Sequence, residues 1–350
     1  MLPKVRGLRL ARVSVFLVSL LSMEDSVAEH LSPIQFEAIG RASAATAPAT
    51  NMQAPPLEEL RSPTVPDTRP REYPAVGKAL SLHLSTGLYS YLTRANAWVY
   101  VPRAFDPKAP SLHVVMLFHG HHNCLASYVS AGGRSCTHGE EIRTGYDIAA
   151  QVERSGTSAI VVVPQLAFDE ASSDPGHLGK VGGLRAFLTE LVQDALVPTI
   201  GPHRYADVDR VALMASSGGY EALLPALNLG QVDAIRDVYL LDAFYVETRT
   251  HEAFLRDHLE DFLPNAPHPR RFGMIFCPKS GTAKQSRRFG ERAQSWMAER
   301  GQGAHAAYEP RTRHPELDDL RVPVAIYGAA LEHDQVVSEY LWRFLAASEI

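Results

Sequence analysis

Several things are scarce in this chain of 350 residues. Three cysteines are too few for a miniprotein stapled by many disulfides. No internal repeat is visible, which excludes a collagen-like chain. No run of about 20 apolar residues occurs, the length a helix needs to cross a bilayer. Neither sign of charge dominates: 34 Lys and Arg against 39 Asp and Glu give −5, no electrostatic reason to expect nucleic acid as a partner. What is present is ordinary globular material, 45% hydrophobic and 21% charged, which excludes a wholly disordered chain.

The N-terminal region differs from the rest. Lys4, Arg6, Arg9 and Arg12 precede a short apolar run, Val13 to Met23, and the small-x-small triplet Ser26-Val27-Ala28 follows. A basic head, a short apolar stretch and small residues at a cleavage point form a secretory signal pattern, so residues 1–28 are expected to be removed on export. They carry four basic and two acidic residues, so the mature chain has 30 basic against 37 acidic residues and a net charge of −7. Residues 41–72 are rich in Ala, Thr and Pro. Proline fixes φ and removes backbone donors, so 29–72 reads as an extended leader or tether. Residues 73–350 read as one domain.

In that domain short apolar runs alternate with helical stripes. The runs are Ala97–Pro102, Leu112–Phe118, Ser158–Pro164, Val208–Met214, Val238–Leu241, Phe272–Cys277 and Val322–Tyr327. They are branched and nearly continuous, as strands buried on both faces of a parallel sheet are. Leu184, Phe187, Leu188 and Leu191 make a helical stripe, as do Tyr220, Leu223, Leu224 and Leu227, and Val336 to Leu345. The alternation predicts an α/β fold: a mostly parallel sheet flanked by helices on both faces. Phe254–Phe262 reads as helical, either in a cap or in an ordinary crossover.

Val208–Met214 runs into Ala215-Ser216-Ser217-Gly218-Gly219 and then a helix. A serine on so sharp a strand-to-helix turn tolerates only small residues two before and two after. Ser217 meets that condition with Ala215 and Gly219; Ser216 would face the bulky Met214. A helix start that binds an anion is the alternative without chemistry. On this pentapeptide the chain resembles the α/β-hydrolase superfamily, over roughly residues 80–350. The turn Phe118-His119-Gly120-His121-His122-Asn123-Cys124, at the end of a strand, matches a second superfamily element. The resemblance implies an oxyanion hole made by the N–H groups of His121 and Gly218. A metal site is the competing reading of the three histidines, although adjacent histidines on a tight turn point apart and no helical His-x-x-x-His spacing accompanies them.

The superfamily order is nucleophile, acid, histidine. Asp242, at the carboxyl end of Val238–Leu241, is the expected acid; a helix N-cap is its bland alternative. The next strand ends in Phe276-Cys277-Pro278-Lys279-Ser280, which offers no carboxylate, and Asp318 and Asp319 are fallbacks in a charged stretch. His333, between the last strand and the last helix, is the expected base; His305 and His314 precede that strand and fit poorly. The resemblance therefore implies a serine hydrolase with the triad Ser217, Asp242 and His333, acting on a small-molecule, lipid or polymer ester, with no metal or organic cofactor required. A peptidase or amidase using the same triad and a non-catalytic surface binding domain are the other readings. Cys124 and Cys136 flank the loop after the oxyanion turn and form a possible disulfide in an oxidising compartment, and Cys277 reads as a buried thiol. Tyr128, Tyr220, Phe244 and Tyr245 are expected around the mouth of the site.

Overall fold

In a computed structural model the described residues are 73–74, 77–86, 95–137, 141–246, 249–263, 265–311 and 314–348. The expected signal at 1–28 and leader at 29–72 lie outside them. All described residues belong to the compact unit Pro63–Ile350.

The strands are β1 (Tyr73–Pro74), β2 (Lys78–Leu82), β3 (Ala97–Val101), β4 (Leu112–Phe118), β5 (Arg134–Ser135), β6 (Ile142–Arg143), β7 (Ile160–Pro164), β8 (Val208–Ser216), β9 (Ile235–Leu241), β10 (Arg271–Phe276), β11 (Ala306–Glu309) and β12 (Val324–Gly328). The α-helices are α1 (Leu125–Tyr128), α2 (Ile148–Ser155), α3 (Gly183–Glu190), α4 (Val197–Ile200), α5 (Tyr220–Leu229), α6 (Arg249–Arg256), α7 (Ala283–Glu299) and α8 (Gln335–Ser348). Ten strands form one sheet in the order β1-β2-β3-β7-β4-β8-β9-β10-β12-β11, and β5 and β6 make a separate hairpin. From β7 to β11 every pairing is parallel. The edge β1-β2-β3, joined to β7, is antiparallel.

Alternation along the central strands feeds two cores. Val114, Met116 and Phe118 of β4 face a core completed by α3, α5, α6 and α7 through Phe187, Leu223, Phe254 and Phe289. Val115 and Leu117 face the other, completed by α2 and α8 through Val152, Tyr340 and Phe344. Each such fully buried side chain stabilises the fold by roughly 1.5–3 kcal/mol relative to exposure. The result is the expected α/β fold, a mostly parallel sheet with helices on both faces. Phe254–Phe262 resolves into α6 and a 3-10 turn, Leu259–Phe262.

Strand order also locates the crevice. After β4 the chain crosses to β7 on one side, then returns to β8 on the other side of β4. In open α/β sheets a crevice opens at the carboxyl ends of the strands where the order reverses this way. There Phe118 of β4 pairs with Ala215 of β8, and Ser216 pairs with Leu241 of β9. The loops carrying His121, Ser217 and Asp242 thus leave adjacent strands at one edge.

Candidate active site

Ser217 begins a 3-10 turn, Ser217–Gly219, between β8 and α5. Its φ is +49°, left-handed backbone that a non-glycine residue adopts at a cost of order 1–3 kcal/mol. The small flanks have a visible cause. A Cβ on Gly219 would strike the carbonyls of Phe118 and His119, and one on Gly120 would lie 2.7 Å from Ser217 Cβ. The turn after β4 and the turn after β8 therefore touch backbone to backbone. Ser216, the residue before, is buried and its Oγ lies 2.8 Å from the Tyr128 hydroxyl.

The three histidines of the first turn go to three places. His119 is fully buried, and its Nε2 accepts the Leu166 N–H at 3.1 Å. That assigns the ring proton to Nδ1, 2.9 Å from the Gly120 carbonyl. Burial pushes its pKa down to about 4, so it stays neutral. A trans peptide points C=O and N–H in opposite directions, so holding the Gly120 carbonyl on this ring turns the His121 N–H away from it. The His121 ring lies over Gly218, where any Cβ would collide with it. Its Nε2 is 3.2 Å from Glu221 Oε1, at ion-pair distance but not aligned as a hydrogen bond. His122 is exposed, with φ +51°.

Asp242 follows β9, fully buried, with φ +48°. Its Oδ1 accepts from the Cys277 N–H at 3.1 Å, from Ser280 Oγ at 3.0 Å and from Thr282 Oγ1. Its Oδ2 lies 2.6 Å from His333 Nδ1. Burial alone pushes this carboxyl up; hydrogen bonds from His333, Thr282 and the Cys277 N–H outweigh it and hold the pKa below the usual carboxylate range. The same contact with Asp242 raises the His333 pKa above its ordinary value, against a desolvation cost. The segment after β10, which carries no acid of its own, thus holds the acid of the neighbouring strand. Burial and the nearby Asp242 carboxylate push the Cys277 thiol up, which keeps it protonated.

Ser217, His333, Gly120 and His121 line one cleft of about 340 Å³. A second hollow of about 390 Å³, lined by Phe254 and Arg270 among others, shares no residue with it. Asp318 and Asp319 sit in a 3-10 turn ahead of β12, at the opposite end of the strand from His333. Of the expected mouth aromatics, Tyr128 lines the cleft, and Tyr220 and Tyr245 pair with ring centroids 5.7 Å apart. Phe244 does not line it: it is buried against Phe289 and His251. Cys124 and Cys136 are joined as a disulfide, with Cα atoms 5.7 Å apart. Sequence reasoning missed Ser280, Thr282 and the bracing role of His119; the one hint was a loop after β10 rich in hydroxyls where a carboxylate was sought.

No protein-family model matches the sequence, and no curated protein matches it. Among solved structures the chain is similar to an acetyl xylan esterase from Aspergillus awamori, at 11% identity over 68% of this chain and 88% of that one, TM-score 0.36. It is also similar to a poly(3-hydroxybutyrate) depolymerase from Bordetella parapertussis, at 13% identity over 77% of this chain and 88% of that one, TM-score 0.38.

Proposed function

We propose that the protein is an exported serine hydrolase that cleaves carboxylic esters through Ser217, His333 and Asp242. The observation that carries this is the 2.6 Å hydrogen bond between buried Asp242 and His333, in a cleft that also holds a serine on a left-handed turn. His333 takes the proton of Ser217 as Oγ attacks the ester carbonyl. Asp242 fixes the tautomer that leaves Nε2 free to accept, and stabilises the imidazolium that forms. The N–H groups of His121 and Gly218 receive the charge that develops on the carbonyl oxygen; such donors contribute ~3–4 kcal/mol each. His333 then protonates the departing alcohol, and water repeats the cycle on the acyl-enzyme. The triad needs no metal or organic cofactor for these steps.

Export rests on the pattern of residues 1–28. Purified mature protein is expected to hydrolyse p-nitrophenyl acetate, with turnover lost in Ser217→Ala. No turnover by the wild type on any short ester would refute the reading. N-terminal sequencing of the secreted protein is expected to start near Glu29; a Met1 start would exclude cleavage.

A further inference from the structure

The cleft has an unusual wall. Ligand pockets are mostly lined by apolar and aromatic side chains. Here Glu141, Ile142, Arg143, Thr144, Tyr146 and Asp334 line the cleft with His333, and the apolar liners Tyr128, Leu241 and Val337 are almost fully buried. Ile142, 69% exposed, is the only solvent-facing apolar side chain of that group.

The wall is preformed. It is the hairpin β5–β6, tied by the Cys124–Cys136 disulfide to the start of α1. Ser127 Oγ donates to the Arg143 carbonyl at 2.9 Å, and Asn123 Nδ2 donates to the Thr144 carbonyl at 3.3 Å. Arg143, the wall's cation, is already engaged: its guanidinium lies 3.1 Å from Asp169 and 3.3 Å from Glu141. Asp169 in turn donates its N–H to the Asn123 carbonyl at 3.2 Å. Asp334 is exposed beside His333, and its charge helps raise the Tyr146 pKa, second to burial. The part of the wall that lines the cleft therefore presents hydroxyls, backbone and carboxylates; its cation Arg143 is paired, and the exposed Arg134 of β5 is not among the lining residues.

The chemistry says what meets this wall. His333 must protonate the departing alcohol, so the alcohol half of the ester lies on the His333 side of Ser217. We propose that the alcohol half of the substrate is uncharged and hydroxyl-rich, seated along the hairpin β5–β6, where Arg143 offsets only one of the carboxylates Glu141 and Asp169 and the remaining negative charge, with that of Asp334, excludes anionic alcohols. An alkyl alcohol gains little here, because transfer out of water is favourable only onto apolar surface. An anionic one meets like charge, at a penalty of about 5- to 10-fold per carboxylate at partly screened distances. This assignment rests on the ester-hydrolase reading above.

The test holds the acyl group constant and varies the alcohol: glycerol monoacetate, hexyl acetate and acetyl lactate. The wild type is expected to favour glycerol monoacetate in kcat/KM by about 10-fold or more over each of the others. Replacing both carboxylates (Glu141→Gln with Asp334→Asn) is expected to raise the acetyl lactate to glycerol monoacetate ratio by about 10-fold. Preference for hexyl acetate, or a ratio unmoved by the double substitution, overturns the proposal. A fluorophosphonate probe separates the two levels of failure. If Ser217 is labelled but glycerol monoacetate is not turned over, the alcohol assignment falls alone. If the wild type is neither labelled nor active on any ester, the hydrolase reading falls and takes this with it.

Discussion

One strand carries two buried carboxylates that do different work. Asp237 and Asp242 both belong to the β9 region, both are fully buried, and they lie roughly 16 Å apart at five residues of strand rise. Asp237 is held by a guanidinium: Arg210 donates Nε and Nη2 to its two oxygens at 2.7 Å each. Burial pushes the Asp237 carboxyl up, while its contact keeps Arg210 firmly protonated; the two-pronged geometry holds the pair ionised. Guanidinium does not give up its proton, so nothing can be exchanged there. Asp242 divides its oxygens instead. Oδ1 accepts from two hydroxyls and a backbone amide, and Oδ2 is left to an imidazole, a group that can take and release a proton. Burial is common to both; what separates a structural carboxylate from a candidate catalytic one is whether its partner can take and release a proton.

The sharpest break of that comparison is Asp242→Asn. In triad enzymes the corresponding change lowers kcat by about 10⁴ because the imidazole adopts the wrong tautomer. Steady-state kinetics on a p-nitrophenyl ester is expected to show a loss of that order, with a smaller stability cost than at the other end of the strand. Asp237→Asn should do the reverse. Leaving Arg210 buried and unpaired costs about 3–5 kcal/mol, visible in urea unfolding, while activity per folded molecule stays near wild type. A large kcat loss in Asp237→Asn would mean the two ends of β9 are not separable.

The pH profile sharpens the contrast. His333 acts as a base only when neutral, and Asp242 raises its pKa. The rise of kcat/KM with pH is therefore expected to have its midpoint above 6.5, and residual activity of Asp242→Asn to rise at lower pH. The same contact has a stability sign. A raised histidine pKa contributes stability that is fully present below about pH 6.5 and lost as pH climbs through the folded-state value. Smaller effects belong to the hydroxyls. Thr282→Ala or Ser280→Ala removes one of the donors on Oδ1, so each is expected to cost about 1 kcal/mol of stability and a few-fold in kcat, measured by thermal melts and kinetics.

How much of this could be read from residues follows from the range of each interaction. Ser217 declares itself locally, through small neighbours at two before and two after. Leu112–Phe118 was legible to the residue because six of its seven positions are apolar and serve two cores. Helix α7 was not: its buried stripe is Ala283, Ser286, Phe289, Gly290, Ala293 and Met297, mostly small residues that leave little apolar period. Gly290 shows why they are small, since any Cβ there would press into Tyr308. The strands β2, next to one edge, and β11, at the other, are short, and half-exposed positions dilute their pattern. Ser280 and Thr282 lie 38 and 40 residues from Asp242. Nothing near them in sequence names their partner, and only the register of β9 against β10 brings them to it. The hairpin wall was hidden for the same reason, apart from its two cysteines.

Ser217, His333 and Asp242 are expected to act as one unit. Mapping a fluorophosphonate adduct by mass spectrometry, and timing its formation in wild type and Asp242→Asn, tests this most directly. The expected result is a single adduct on Ser217, formed at least 10³-fold more slowly in Asp242→Asn. An adduct on another residue, or equal labelling rates in the two proteins, would contradict it.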